Sequence, residues 1–411
     1  MNHKREPAAI AFGEFVALMA SMQSLVALSI DAMLPALTEI GQELGAKAVN
    51  DSQLIVTILF LGLAFGQGIY GPLSDTTGRK PAVYLGFSLF LVGCCLSLFA
   101  TDLTVMLCGR FLQGLGLAGP RCVIVAIVRD QYEGPAMARV MSFVMTIFIF
   151  VPAIAPTLGQ GILLLAHWRT IFAALLGCGL LTLTWFTLRL PETLAVEHRI
   201  PFSLGRIYRA IREVCSHRVS LGYTISLGLI TSAFLGYLSS AQLIFQKQYE
   251  LGTMFPLYFA ILALCIGGAS FVNGRLVGRF GMHHLTRWSK RISTVISILF
   301  FLYVLSVGGH PPLWAMMGYM MTILFCFGIM YGNLNALAME PLGHIAGVGS
   351  AVMGALSTLI AVPCGILIGH SFNGTVLPVI SGFAVSGVLI MLVMHWVESK
   401  AETPEAEGNA N

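Results

Sequence analysis

The chain has 411 residues, of which 56% are hydrophobic and only 10% charged, too little polar surface for a water-soluble fold of this size, so it belongs in a bilayer. Its formal net charge of +4 comes from basic residues scattered between apolar stretches, and no basic tract offers a footing for nucleic acid.

A membrane-crossing helix needs roughly 20 mostly apolar residues, because a rise of about 1.5 Å per residue must cover about 30 Å of hydrocarbon. Twelve such stretches follow one another, at about residues 12–34, 52–71, 82–100, 104–127, 140–165, 170–188, 220–245, 254–274, 292–308, 313–337, 346–370 and 376–396. None alternates in the ten-residue pattern of a barrel strand, which predicts an all-α integral membrane fold. The first stretch runs longer than a signal-peptide apolar region and leads directly into further spans, so it is expected to stay in place.

With the N-terminus inside, the inner segments carry 18 Lys and Arg, and the outer ones only Lys47, Arg169 and Lys247. The positive-inside rule then places both termini in the cytoplasm. Residues 191–218 form the longest polar stretch and read as a cytoplasmic linker between two six-helix halves, 1–190 and 219–397. A short repeat agrees: Gly71, Leu73 and Gly78 after the second span recur as Gly274, Leu276 and Gly281 after the eighth. The polar, acidic tail 398–411 is expected to be disordered. The nine cysteines form no CxxC pair and read as small buried hydrophobes, so no metal or cofactor is expected.

Between the second and third spans the chain reads Gly71-Pro72-Leu73-Ser74-Asp75-Thr76-Thr77-Gly78-Arg79-Lys80. This resembles the signature loop of the major facilitator superfamily, G-x-L-(S/A)-D-x-x-G-R-(K/R). The resemblance implies that Gly71, Asp75, Gly78 and Arg79 form a conformational latch between the halves. Span one ends Ser29-Ile30-Asp31-Ala32-Met33-Leu34-Pro35, and span four holds Arg110-Phe111-Leu112-Gln113-Gly114. Span five contains Pro152-Ala153-Ile154-Ala155-Pro156-Thr157-Leu158-Gly159, similar to the antiporter motif of proton-driven exporters. With Arg129-Asp130-Gln131-Tyr132 and the stretch around His344, these look like the bicyclomycin and chloramphenicol resistance branch of the drug:proton antiporters. In this light Pro152, Pro156 and Gly159 bend and pack span five so that it seals against proton leak.

Ionisable residues inside spans are costly and mark function. Away from the span ends they reduce to Asp31, Arg110 and Arg121. Asp31 and Arg110 lie at comparable depth, and the family resemblance implies that they pair and carry proton coupling. Arg121 shares a face with Arg110, eleven residues on, and either satisfies carbonyls freed by Pro120 or meets substrate. The central cavity is expected between spans one, four, seven and ten, with Gln23, Gln113, Arg121, Tyr223, Tyr237, Gln242 and Asn335 as candidate substrate contacts. Some related exporters carry a second acid two turns before Asp31. Here that region reads Met22-Gln23-Ser24, which counts against multi-proton coupling and a preference for cations.

No Lys is followed by Ser or Thr, so there is no P-loop, and the ten histidines form no HExxH. An ATP-driven pump in this chain and a membrane enzyme are thereby set aside. The expected function is a monomeric proton-coupled carrier in the lipid of a bacterial inner membrane, exporting small amphiphilic molecules or drugs by alternating access. The alternative is a carrier dedicated to one metabolite or siderophore.

Overall fold

The computed structural model describes residues 10–201 and 203–399. Its helices are α1 (Phe12–Asp31), α2 (Leu37–Glu43), α3 (Leu54–Thr77), α4 (Arg79–Leu98), α5 (Leu103–Gln131), α6 (Gly134–Leu165), α7 (Arg169–Arg189), α8 (Leu204–Ser216), α9 (Arg218–Gln242), α10 (Phe255–Phe280), α11 (Met282–Ser306), α12 (Leu313–Met339), α13 (Ala346–His370) and α14 (Leu377–Glu398). Twelve helical segments are long and apolar enough to cross a membrane, α1 running on through a 3-10 turn at Leu34–Ala36 into α2. The protein is therefore a multi-pass, all-helical membrane protein.

The helices start and stop where the sequence supplies the means. Asp102 caps α5, its carboxylate accepting from the Val105 N–H at 3.0 Å. Gly78 separates α3 from α4 with φ of 108°, and Gly281 separates α10 from α11 with φ of 78°. Both need the left-handed backbone that glycine adopts freely. These are corresponding positions of the sequence repeat, so the repeat is one of backbone geometry as well as letters.

Several span boundaries differ from expectation. α11 begins at Met282 and not near 292, because its first turns (His283, His284, Arg287, Lys290, Arg291) are too polar to register as a span yet continue the helix. α6 likewise begins at Gly134. The expected linker also holds a helix, α8, capped by Ser203 and packed by Ala210 and Val214 on the adjoining ends of α9 and α13. The expectation of disorder for 398–411 falls almost wholly outside the described residues.

Small residues let helices approach closely. A side chain on Gly62 of α3 or Gly114 of α5 would run into the other helix's backbone, at Phe111 and Leu59 respectively, so only glycine permits this contact. Between the two groups of spans, α3 packs along α13 and α6 along α10. At the end away from the arginine-rich segments, Gln242 Nε2 donates to Thr38 Oγ1 at 2.8 Å, and Asn50 Nδ2 donates to the His370 and Phe372 carbonyls at 2.7 and 2.9 Å. At the basic end, Gly71 of α3 lies so near α13 that a Cβ there would sit 3.3 Å from that of Ala351.

Candidate functional site

Several of the polar groups that the bundle buries lie on α1, α5 and α9. Asp31, the last residue of α1, is 5% exposed, and its carboxyl makes no hydrogen bond or ion pair with another described residue. Across the interface on α9, the Tyr237 hydroxyl is buried, unpaired and within electrostatic reach of Asp31. Gln23 lies two turns earlier on α1, also buried, with no hydrogen bond among the described residues.

Arg110 is fully buried but does not pair with Asp31. Its Nε donates to the Ile55 carbonyl at 2.9 Å, Nη2 to the Ser29 carbonyl at 2.8 Å and Nη1 to Gln113 Oε1 at 2.5 Å. Gln113 in turn donates to the Gly93 carbonyl and Ser97 Oγ at 3.1 and 3.0 Å. The expected Asp31–Arg110 contact is thus replaced by a tie of the guanidinium to the backbones of α1 and α3. The physical reason is that each guanidinium nitrogen finds an uncharged acceptor, the Ser29 carbonyl in the last turn of α1, the Ile55 carbonyl of α3 or the Gln113 amide oxygen. Gln113 belongs to this tie, its amide spent on protein.

At the basic end, Arg79 opens α4 with 2% exposure. Its Nη1 donates to Asp75 Oδ1 at 2.6 Å and Ser74 Oγ at 3.0 Å, and its Nε to Asp130 Oδ2 at 2.8 Å. Glu192 caps the same turn, accepting from the Arg79 and Lys80 N–H groups at 2.9 and 3.0 Å. Gly78 leaves room for that carboxylate, since a Cβ there would lie 2.7 Å from Glu192 Oε2. A cleft of about 1200 Å³ opens beside the cluster, lined by Asp75, Arg129, Arg206, Glu213 and His344 among others. Glu213 of α8 meets His344 Nε2 at 2.6 Å across it.

In α6, Pro152 and Pro156 lie within a continuous helix, and Gly159 presses on α1 so closely that a Cβ would fall on the Ala32 carbonyl. The residue after Asp31 is therefore in direct backbone contact with the motif.

The remaining candidates scatter. Tyr223 sits near the start of α9, its hydroxyl 3.3 Å from His283 Nδ1 of α11, within one half and away from Asp31. Gln242 joins the halves through Thr38 and also donates to Gln246 at 2.6 Å. Asn335 is exposed and forms no hydrogen bond among the described residues. Two residues earlier Asn333 is buried, exchanging reciprocal amide bonds with Asn273 of α10 at 3.1 and 2.9 Å. Tyr223 and Asn335 are therefore removed from the central group, since they do not come together with Asp31. Arg121 is partly buried, and neither the carbonyls near Pro120 nor any described acid bonds to it.

The profile of the Major Facilitator Superfamily matches residues 19–366. The chain belongs to this superfamily. It is 32% identical over 359 residues to the uncharacterized MFS-type transporter YdgK of Bacillus subtilis (strain 168), covering 87% of each chain. It is 25% identical over 393 residues to the bicyclomycin resistance protein homolog of Haemophilus influenzae, covering 94% of this chain and 96% of that one. To the multidrug resistance protein MdtM of Escherichia coli O157:H7 it is 25% identical over 388 residues, 92% of each chain. Among solved structures, the xylose transporter XylE from E. coli in a partially occluded inward-open conformation shares the fold, with TM-score 0.72 at 13% identity over 97% of this chain and 99% of that one.

Membership makes the protein a carrier of small molecules and not an enzyme, and its relatives are of the drug-transporter kind. Sequence reasoning missed three polar clusters of this superfamily member. Asp130 and Glu192, which meet Arg79 and its turn, carry no mark in the sequence beyond their charge. Glu43, which accepts from Trp168 Nε1 at 2.6 Å and pairs with His167 and Arg169, closes the α2 end of the first half. At the other end Glu14 pairs with Arg189 at 2.5 Å and accepts from Trp185 Nε1 at 3.2 Å. In both clusters a tryptophan stands close to the arginine in sequence, Trp168 before Arg169 and Trp185 one turn before Arg189, and that pairing could have signalled a built site.

Proposed function

We propose that the protein is a proton-coupled exporter of small amphiphilic molecules, drugs among them. It works as a monomer by alternating access in a bacterial inner membrane, with both termini cytoplasmic. The observation that carries this reading is Asp31: a carboxyl 5% exposed, without a charged partner, at the seam between the halves. A carboxyl so placed is stable while neutral, and it can lose its proton only when one end opens and admits water. The Tyr237 hydroxyl, buried and unpaired across the seam, is a donor available to the carboxylate once it forms. Proton loss would thereby change the contact between the halves, which is what coupling requires.

The Arg79–Asp75–Asp130 cluster serves in this reading as the latch that biases the halves toward one arrangement, and the span-five motif packed on Ala32 as the seal beside the proton site. The bicyclomycin-type motifs and the names of two relatives, one for bicyclomycin resistance and one for multidrug resistance, support a drug range. The 18-to-3 basic asymmetry supports the orientation.

The test is transport by the purified protein in sealed vesicles under an imposed pH gradient. Asp31→Asn should abolish gradient-driven accumulation while leaving substrate exchange at zero gradient intact, because an amide cannot cycle a proton. Undiminished gradient-driven transport by Asp31→Asn would remove the carboxyl from the mechanism.

A further inference from the structure

Among the described residues, Arg121 is a strongly basic side chain in the middle of a span that bonds to none of the others. It lies roughly ten residues, or about 15 Å, short of the basic end of α5. Its direction follows from Arg110. Eleven residues along a helix return to within about 20° of the starting face, and Arg110 on that face reaches the Ser29 and Ile55 carbonyls of α1 and α3. Arg121 therefore falls on the helix face by which Arg110 reaches α1 and α3. Unlike Arg110, which is 0% exposed and bonded at each of its three nitrogens, it is partly open and bonded to no described residue.

Among the described residues Asp31 is the one buried acid. Asp31 lies at the far end of α1, roughly three helical turns away in depth, and the intervening stretch Met22-Gln23-Ser24 is uncharged. With Asp31 protonated the centre of the membrane carries two guanidinium charges and no counter-charge. A cation would be repelled there. A planar carboxylate or sulfonate would meet a rigid two-pronged donor there.

We propose that Arg121 is the counter-charge for an anionic headgroup of the transported molecule, so that the protein carries amphiphilic organic anions. The reading rests on the export function for its direction but not for its charge preference. Its consequence for energetics is specific. A monoanion leaving and a proton entering both move charge the same way, so an interior-negative potential drives the exchange together with the pH gradient.

The experiment compares three near-isosteric probes, 2-naphthoate, 2-naphthamide and 2-naphthylmethylammonium, binding to the detergent-solubilised full-length protein by scintillation proximity. The wild type should hold the carboxylate about tenfold or more tighter than the amide and the ammonium weakest, a preference read without any variant. Arg121→Gln should bring carboxylate and amide to equal affinity, and Arg121→Lys should retain part of the difference. Asp31→Asn should keep the anion preference, so loss of coupling and loss of charge recognition are told apart. Equal affinities in the wild type, preference for the ammonium, binding of none of the three, or an anion preference that survives Arg121→Gln would each overturn the proposal.

Discussion

Arg79 Nε donates to Asp130 Oδ2 at 2.8 Å, tying the first residue of α4 to the penultimate residue of α5. The same guanidinium holds Asp75 at the end of α3 at 2.6 Å, so three spans are joined by one side chain that is almost wholly buried. Removing a partner from such a cluster leaves a desolvated charge. Arg79→Ala should cost about 3 kcal/mol, and Asp130→Asn should impair transport as much as Asp75→Asn does. Thermal melting in detergent and uptake rates at matched membrane levels decide this. Wild-type stability in Arg79→Ala would mean the cluster is not closed in the membrane.

Arg110 leads to a different expectation from that of an ion pair. Its donors end on two backbone carbonyls and on Gln113, so its loss strikes the packing of α1, α3 and α5 before it touches proton chemistry. Arg110→Ala should lower stability by roughly 3 kcal/mol or more, since bonds from a charged donor to buried carbonyls are worth about 1.5–3 kcal/mol each. Asp31→Asn in the same background should add its effect independently, because the two side chains share no contact. A double-mutant cycle with coupling near 2 kcal/mol, the upper part of the range for contacting pairs, would restore the direct pair.

What the sequence made legible was what the bilayer dictates. Twelve apolar runs had to be spans, and Gly78 had to be a turn because nothing else tolerates its backbone. What stayed hidden depends on acceptors that leave no mark in the letters. The carbonyls of Ser29 and Ile55 claim Arg110, and no side-chain pattern announces them. Asn335 and Asn333 are equivalent in composition, yet two residues on a helix are turned by about 200°, and only the position of Asn273 on α10 selects the second. The polar first turns of α11 escaped for the opposite reason: a hydropathy window sees the hydrocarbon part of a helix and not its extension into water.

Gly159 and Gly161 provide a matched pair in one helix. A Cβ on Gly159 would overlap the Ala32 carbonyl, and one on Gly161 meets nothing within 4 Å. Gly159→Ala should therefore destabilise by about 2 kcal/mol or more and displace the end of α1 that bears Asp31, while Gly161→Ala should be neutral or slightly stabilising through helix propensity. Melting temperatures and transport rates of the two variants give the comparison. Equal tolerance would show that α6 does not pack on α1 as described.

The two ends of the bundle can be locked separately. At the basic end, the Cβ of Gly71→Cys would lie 3.3 Å from that of Ala351, close to the 3.5–4.5 Å typical of a disulfide, so Gly71→Cys with Ala351→Cys should cross-link α3 to α13 on mild oxidation. At the opposite end, Thr38 and Gln242 touch through 2.8 Å, and Thr38→Cys with Gln242→Cys should be bridged by a short bifunctional thiosulfonate applied from outside. Serine replacements at the exposed Cys108, Cys178 and Cys215 remove competing thiols. If the halves rock about a central site, each end must part once per cycle, so either bridge alone should stop transport and reductant should restore it. Single-cysteine controls should keep their activity under the same treatment. Transport that continues at the wild-type rate with the Thr38 and Gln242 positions fully bridged would rule out opening at that end, and with it alternating access between the two faces.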